Sequence, residues 1–218
     1  MPSLQEIYDI LFKTFGPQHW WPAKTKFEMV AGAILTQKTS WKNVEKALES
    51  LKRENLSDVR SIAVAETRML ENAIYSSGFF RQKAERLKEF CSHVERNYHG
   101  NIDTFLSQSQ NTLEKELLSL KGIGHETADS ILLYAARHPV FVVDSYTMRI
   151  CKRLGVPQGE RRVELRRLFE EEIEKNVELY GEYHALLVML AKKYCKKKPV
   201  CGRCPLRQLC AYCMSSSL

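Results

Sequence analysis

Apolar residues recur at helical spacing along nearly the whole chain. Phe27, Val30, Ala31, Ile34 and Leu35 follow Thr25, a residue type that caps helix starts. Ser40 stands in the same relation to Val44, Leu48 and Leu51. Ala84, Leu87, Cys91, Val94 and Tyr98 mark a further helix, closed by Gly100. Leu113, Leu117, Leu118 and Leu120 precede a tight turn at Gly122-Ile123-Gly124, and Ala128, Ile131, Leu132 and Ala135 continue beyond it. The same spacing predicts helices over 145–153, 161–175 and 182–194. The one strand-like run, Val140-Phe141-Val142-Val143, is too short to found a sheet. The pattern predicts an all-α protein without internal repeat or low-complexity linker, ending in a frayed Ser215-Ser216-Ser217 tail.

With 218 residues, 44% of them hydrophobic, the chain can bury a core, and global disorder is excluded. No apolar run reaches the length of a membrane span, and Met1-Pro2-Ser3-Leu4-Gln5-Glu6 lacks the basic-then-apolar pattern of a signal peptide. A cytoplasmic or nucleoid-associated protein is expected. The net charge of +7 favours a polyanionic partner, nucleic acid or an anionic membrane surface. Its basic residues cluster at Arg81, Lys83, Arg86 and Lys88, at Arg149, Lys152 and Arg153, and at Lys192, Lys193, Lys196, Lys197 and Lys198; any one cluster alone reads as a solvated helix face. Of seven cysteines, Cys91 and Cys151 sit inside helical patterns and read as core, whereas five crowd between Cys195 and Cys213. Without an export signal, that crowding argues for metal rather than disulfides.

The central signal is Leu120-Lys121-Gly122-Ile123-Gly124-His125-Glu126-Thr127-Ala128-Asp129. Glycine permits positive φ and close backbone approach, and the helix that follows starts with unpaired amides and a positive dipole end. Together Lys121 to His125 make a site for a phosphate oxygen, one that fixes register and reads no bases. A lone G-x-G is more often an ordinary interhelical turn. Twenty residues after Gly124 stands Asp144, behind the buried-looking apolar run and ahead of a helical segment. By itself it reads as a helix cap that the dipole keeps ionised.

Taken together, the segment from Leu120 to Arg153 resembles the endonuclease III superfamily of helix-hairpin-helix, Gly/Pro-rich loop and aspartate DNA glycosylases, and the likeness runs from about Trp20 to Cys210. The resemblance implies two α-helical lobes, a six-helix lobe with the hairpin over 24–138 and a second lobe from 1–23 with 139–218. It implies a monomer that binds damaged double-stranded DNA and no membrane, with Asp144 essential for cleaving the N-glycosidic bond. The carboxylate would stabilise charge developing on the sugar, or orient and deprotonate a water. Lyase-competent members carry a lysine in the second hairpin helix; here the matching residue is Glu126, and Lys121 precedes the hairpin. A carboxylate cannot form an imine, so base hydrolysis without strand cleavage is expected.

Within the superfamily the 3-methyladenine glycosylase branch is the nearest likeness, through Trp20-Trp21-Pro22, Phe27-Glu28 to Leu35-Thr36-Gln37, Ser77-Gly78-Phe79-Phe80-Arg81-Gln82-Lys83-Ala84 and the hairpin. That likeness places Trp20 and Trp41 as a base sandwich, with Trp21, Pro22 and Glu126 lining the pocket, although tryptophans also serve as plain packing. Aromatic faces suit a cationic alkylated purine. Gln37 and Phe79, with Phe80 as neighbour, match gap-filling positions beside an extruded base. Gly32 stands where adenine-mispair enzymes carry a glutamate. Cys195-x5-Cys201-x2-Cys204-x5-Cys210 resembles the [4Fe–4S] motif of endonuclease III with its first loop one residue shorter. Zinc is the alternative, and Cys213 is a spare thiol that could replace Cys210. Enzymes of the 3-methyladenine branch typically lack such a cluster.

Overall fold

A computed structural model describes residues 2–18, 20, 23–157 and 161–215. The predicted Trp21 and Pro22 of the base pocket therefore lie outside the described residues, as do the last serines of the tail. Helices in chain order are α1 (Leu4–Phe15), α2 (Lys26–Leu35), α3 (Trp41–Arg53), α4 (Val59–Val64), α5 (Thr67–Ala73), α6 (Phe80–Tyr98) and α7 (Ile102–Leu106). They continue as α8 (Gln110–Ser119), α9 (His125–Ser130), α10 (Ser145–Leu154), α11 (Arg162–Glu172), α12 (Val177–Lys193) and α13 (Ala211–Ser215). Among the described residues there is no strand.

The chain divides into two compact units, Trp21–His138 and Met1–Trp20 with Pro139–Leu218. The central unit holds α2 to α9, two more than a six-helix lobe, because α4, α5 and α7 are segments of five to seven residues too short to carry a readable apolar period. Helix α2 is buried on almost every side, from Phe27 to Leu35. Its start is fixed by Thr25, whose hydroxyl accepts from the Glu28 amide at 3.1 Å, as its sequence position predicts. Ser40 also precedes its helix as expected but makes no side-chain cap. The amphipathic α6 buries Ala84, Leu87, Phe90, Cys91 and Val94 and ends at Tyr98, after which His99 and Gly100 both turn left-handed. Helix α9 passes directly into a buried π-helical turn, Ile131–Ala135.

The other unit is built around the predicted strand-like run, which is fully buried but forms no strand. Phe141 stacks on Phe169 of α11 at 4.0 Å between ring centres and meets the edges of Tyr180 and Tyr183 of α12 at 5.4 and 5.7 Å. The Tyr183 hydroxyl donates to the Leu4 carbonyl at 2.8 Å and so ties α12 to α1. Helix α12 starts at Val177, five residues earlier than its pattern suggests, because Gly181 reads as a breaker yet lies inside the helix. Asn176 caps it, accepting from the Leu179 amide at 2.9 Å. The run from Val140 thus leads a fixed backbone straight to Asp144.

Candidate functional site

In the central unit the hairpin is set by what surrounds each glycine. Gly122 has φ +85°, a conformation costly for any residue with a Cβ, and a Cβ there would collide with the side chain of Arg86 from α6. Gly124 differs: its φ is −99°, and a Cβ there would meet nothing within 4 Å. Nothing inside the unit requires glycine at 124, and the face it leaves open is the one that the first turn of α9 presents. Gly124 offers no side-chain cap to that turn. Lys121, His125 and Glu126 are exposed around it, whereas the Ile123 side chain is buried at 5% exposure, so only its backbone can reach a ligand.

Gln37 is bound to this hairpin. Its amide nitrogen donates to the Gly122 carbonyl at 3.1 Å and to the Thr127 hydroxyl at 3.0 Å, while its oxygen accepts from Arg86. Phe79 heads α6 in a left-handed conformation, φ +47°, and is 61% exposed. Phe80 is turned to its own unit, with its ring centre 4.9 Å from that of Tyr75. The two candidates are thereby separated: Phe79 projects and Phe80 packs. Trp41, at the first position of α3, donates its indole N–H to Glu45 at 3.0 Å. The basic cluster of α6 is not a solvated face. Lys83 is buried, Arg86 serves Gln37, and Lys88 donates to the Ala65 carbonyl, leaving Arg81 over the Phe80 ring at 5.8 Å.

In the other unit Asp144 is the N-cap of α10, as its position predicts. Its Oδ1 accepts from the Thr147 amide at 2.7 Å and the Thr147 hydroxyl at 2.9 Å. Its Oδ2 faces the imidazole of His184 from α12, with Nε2 at 3.6 Å. Burial pushes the carboxyl upward, but His184 and the two Thr147 hydrogen bonds outweigh it and hold the group below the usual aspartate range. The result is a carboxylate only 9% exposed and anionic at neutral pH. Trp20 belongs to this unit. Its indole nitrogen is buried without a hydrogen-bond partner among the described residues, and the Lys192 ammonium lies 5.3 Å from its ring centre. Trp20 and Trp41 fall in different units, and their pairing stays an expectation.

The cysteine loop is fastened to the far end of the same helix that Asp144 begins. Arg153 of α10 donates to the Cys195 sulfur at 3.3 Å and to the carbonyls of Lys196 and Lys197 at 2.6 and 3.0 Å. Arg149 donates to the Cys195 carbonyl at 2.9 Å. These two arginines are thus turned to the loop. Burial raises the Cys204 thiol, a backbone hydrogen bond with Leu206 opposes the rise, and Cys195, Cys210 and Cys201 lie near enough to add to it. Cys213, three residues beyond Cys210, is buried and hydrogen-bonds with Cys201 and Cys210. Among the described residues, no three His, Cys, Asp or Glu side chains gather closely enough to hold one metal ion.

Sequence reasoning missed His184, Arg86 and Arg153 as site residues. Their partners lie 40, 49 and 42 positions away in the chain, so no local spacing announces them. The run Tyr183-His184 inside an apolar helix was the one available hint. No described helix is long and apolar enough to cross a membrane.

Comparison with known proteins adds three findings. Residues 31–175 match the family model of the HhH-GPD superfamily base excision DNA repair proteins. A provisionally named DNA repair glycosylase of Methanocaldococcus jannaschii is 45% identical over 210 residues, covering 95% of each chain. Among solved structures, Helicobacter pylori 3-methyladenine DNA glycosylase bound to 1,N6-ethenoadenine is 31% identical, with a TM-score of 0.77 over 88% of this chain and 98% of that one. A non-covalent endonuclease III–DNA complex is 24% identical with a TM-score of 0.84, covering 100% of this chain and 99% of the other; it shares the fold.

Two outcomes follow from the geometry. Gly124→Ala should melt at the wild-type temperature yet bind duplex DNA more weakly by fluorescence anisotropy. Gly122→Ala should lose about 1–2 kcal/mol of stability from its backbone conformation alone. Equal melting of the two variants would refute the distinction. Because the Asp144 carboxyl lies below its usual range, activity that needs its anion should persist into acid, and His184→Gln should move the acid limb of kcat/KM to higher pH. The same depressed carboxyl stabilises the fold above its unfolded pKa, and that contribution is lost as pH falls through the folded value. An unmoved acid limb in a folded His184→Gln protein would show that His184 does not set the charge of Asp144.

Proposed function

This chain belongs to the HhH-GPD superfamily of base excision DNA repair proteins, and on that footing we propose that it is a monofunctional glycosylase that hydrolyses the N-glycosidic bond of alkylated purines such as 3-methyladenine. The observation that carries the reading is the Asp144 anion at the head of α10, in a chain whose hairpin has a carboxylate, Glu126, where an imine-forming amine would be needed. Duplex DNA is gripped through phosphate oxygens by the open amides after Gly124, and the damaged nucleotide is extruded. As the C1′–N bond lengthens, its electron pair leaves with the base and positive charge grows on the sugar. The Asp144 carboxylate, through the oxygen not committed to Thr147, opposes that charge and accepts the proton of the attacking water. Water oxygen bonds to C1′, and the products are free base and an intact abasic site. A 3-methyladenine base is already cationic and departs neutral, so the reaction needs no acid at the base.

Two features support an alkylated purine as substrate. One is the 31% identity to an enzyme solved with ethenoadenine. The other is the aromatic set, Trp20 and Trp41 with Trp21 and Pro22, suited to a cationic ring. A second reading, an endonuclease III-like glycosylase and lyase for oxidised pyrimidines, is favoured by the cysteine spacing and the full-length fold likeness. Glu126 opposes it, and Asp144 opposes a non-enzymatic binding module. Cys195, Cys201, Cys204 and Cys210 fit a [4Fe–4S] cluster by donor chemistry: four neighbouring thiols, one for each iron. Such a cluster would supply no chemistry to the hydrolysis; bound by these four cysteines it would pin the lysine-bearing loop 196–198 and the end of α10.

Duplexes each carrying 3-methyladenine, ethenoadenine or thymine glycol separate these readings. Release of alkylated purine with strand scission only after alkali is the expected result, and Asp144→Asn should lower it at least about a hundredfold. Scission without alkali, with borohydride trapping of the protein on DNA, would establish the lyase reading instead. Purified protein should carry iron and acid-labile sulfide at about four each. Replacing any of the four ligands by Ser should lower both, whereas Cys213→Ser should not. Stoichiometric zinc would replace the cluster assignment.

A further inference from the structure

Lys83 is the only lysine or arginine buried among the described residues, at 1% exposure. Its ammonium reaches from α6 to two backbone carbonyls, Leu35 at 2.8 Å and Ser77 at 2.6 Å. Leu35 is the last residue of α2, so the ammonium also meets the negative end of that helix. Burying a cation against neutral acceptors is unfavourable, and the Arg86 guanidinium repels it; together they push Lys83 down to about 8. An apolar side chain of equal length would fill this space at a lower desolvation cost. It could not hold two carbonyls at a fixed separation.

What those carbonyls precede gives the lysine its meaning. Two residues beyond Leu35 stands Gln37, and two beyond Ser77 stands Phe79. Lys38 and Phe79 are both non-glycine residues in the left-handed region, at φ +56° and +47°. Such backbones persist only where their surroundings over-determine them. The two loops also face each other, with the Lys38 ammonium 5.8 Å from the Phe79 ring centre. One buried ammonium therefore underlies two strained loops that carry the two gap-filling candidates.

We propose that Lys83 is a positioning residue: it ties the Gln37 loop to the Phe79 loop and holds both at the spacing needed to enter the gap left by an extruded base. The inference rests on the glycosylase reading above. Its work is done while a paired base is being displaced, so it matters little when the base is already unpaired.

The test compares Lys83→Met with wild type on one lesion placed in a paired duplex and in an unpaired bulge, under single turnover. Duplex containing 2-aminopurine beside a stable abasic analogue reports unstacking by fluorescence on binding. The variant should lose about tenfold or more on the paired lesion and less than about threefold on the bulge, with the fluorescence rise lost. Equal loss on both substrates marks a merely structural role and overturns the proposal, as does wild-type behaviour on both. Should the Met variant not fold, Lys83→Arg, whose wider fork spaces the donors differently, should shift the ratio in the same direction by a smaller factor. A folded Arg variant with wild-type ratio and fluorescence would then overturn the proposal. Wild-type protein releasing no base from either duplex refutes the glycosylase reading instead; the fluorescence comparison, which needs only binding, still decides on Lys83.

Discussion

A carboxylate withdrawn from water stays charged only if the protein replaces the hydration it has lost, and the unit containing Asp144 is organised around that requirement. The buried run from Val140 leads to Asp144, and Phe141 locks the run between α11 and α12. Helix α10 supplies an amide and a hydroxyl through Thr147, and α12 supplies an imidazole through His184. Thr147 lies three residues on, but His184 comes from a helix 40 positions away, so the full support of the buried anion is assembled only when the unit folds. The cysteine loop closes the arrangement from behind, because Arg149 and Arg153 fasten it to the helix whose first turn the anion caps.

The central unit meets a different demand, that of presenting backbone rather than charge. Its hairpin glycines divide the work: one is dictated from within by a left-handed turn over the Arg86 stem, and the other is left free for whatever approaches from outside. Along α6, Lys83, Arg86 and Lys88 are spent on internal carbonyls and on the Gln37 oxygen. On the proposed reading, affinity for a polyanion therefore rests more on oriented amides and on the remaining surface lysines than on the basic residues of α6.

Much of this was legible in the sequence, because the signals are local. Thr25 and Asp144 stand one residue before the helices they cap, and the two glycines interrupt an unmistakable apolar period. Helix α1, absent from the expected elements, is legible by the same rule, since its buried residues Leu4, Ile7 and Leu11 keep helical spacing. What could not be read was anything that depends on packing. Lys83 looks like one more solvated lysine until α2 and the Ser77 turn close over it. His184 is one histidine in an apolar helix until Asp144 is brought to face it. The short helices α4, α5 and α7 complete too few turns for a period to emerge, and Gly181 hides the first turn of α12 by imitating a stop.

The state of Gln37 has a consequence for how lesions would be sought. Its amide and its carbonyl oxygen are already engaged at home, by Gly122, Thr127 and Arg86. On the glycosylase reading, travelling along undamaged helix asks nothing of this side chain, and no hydrogen bond is left dangling during patrol. On the same reading, a vacancy in the base stack is what would draw it out. On that reading the glutamine is a sheathed blade rather than a drawn one, and the hairpin proposed to grip the backbone is also its scabbard.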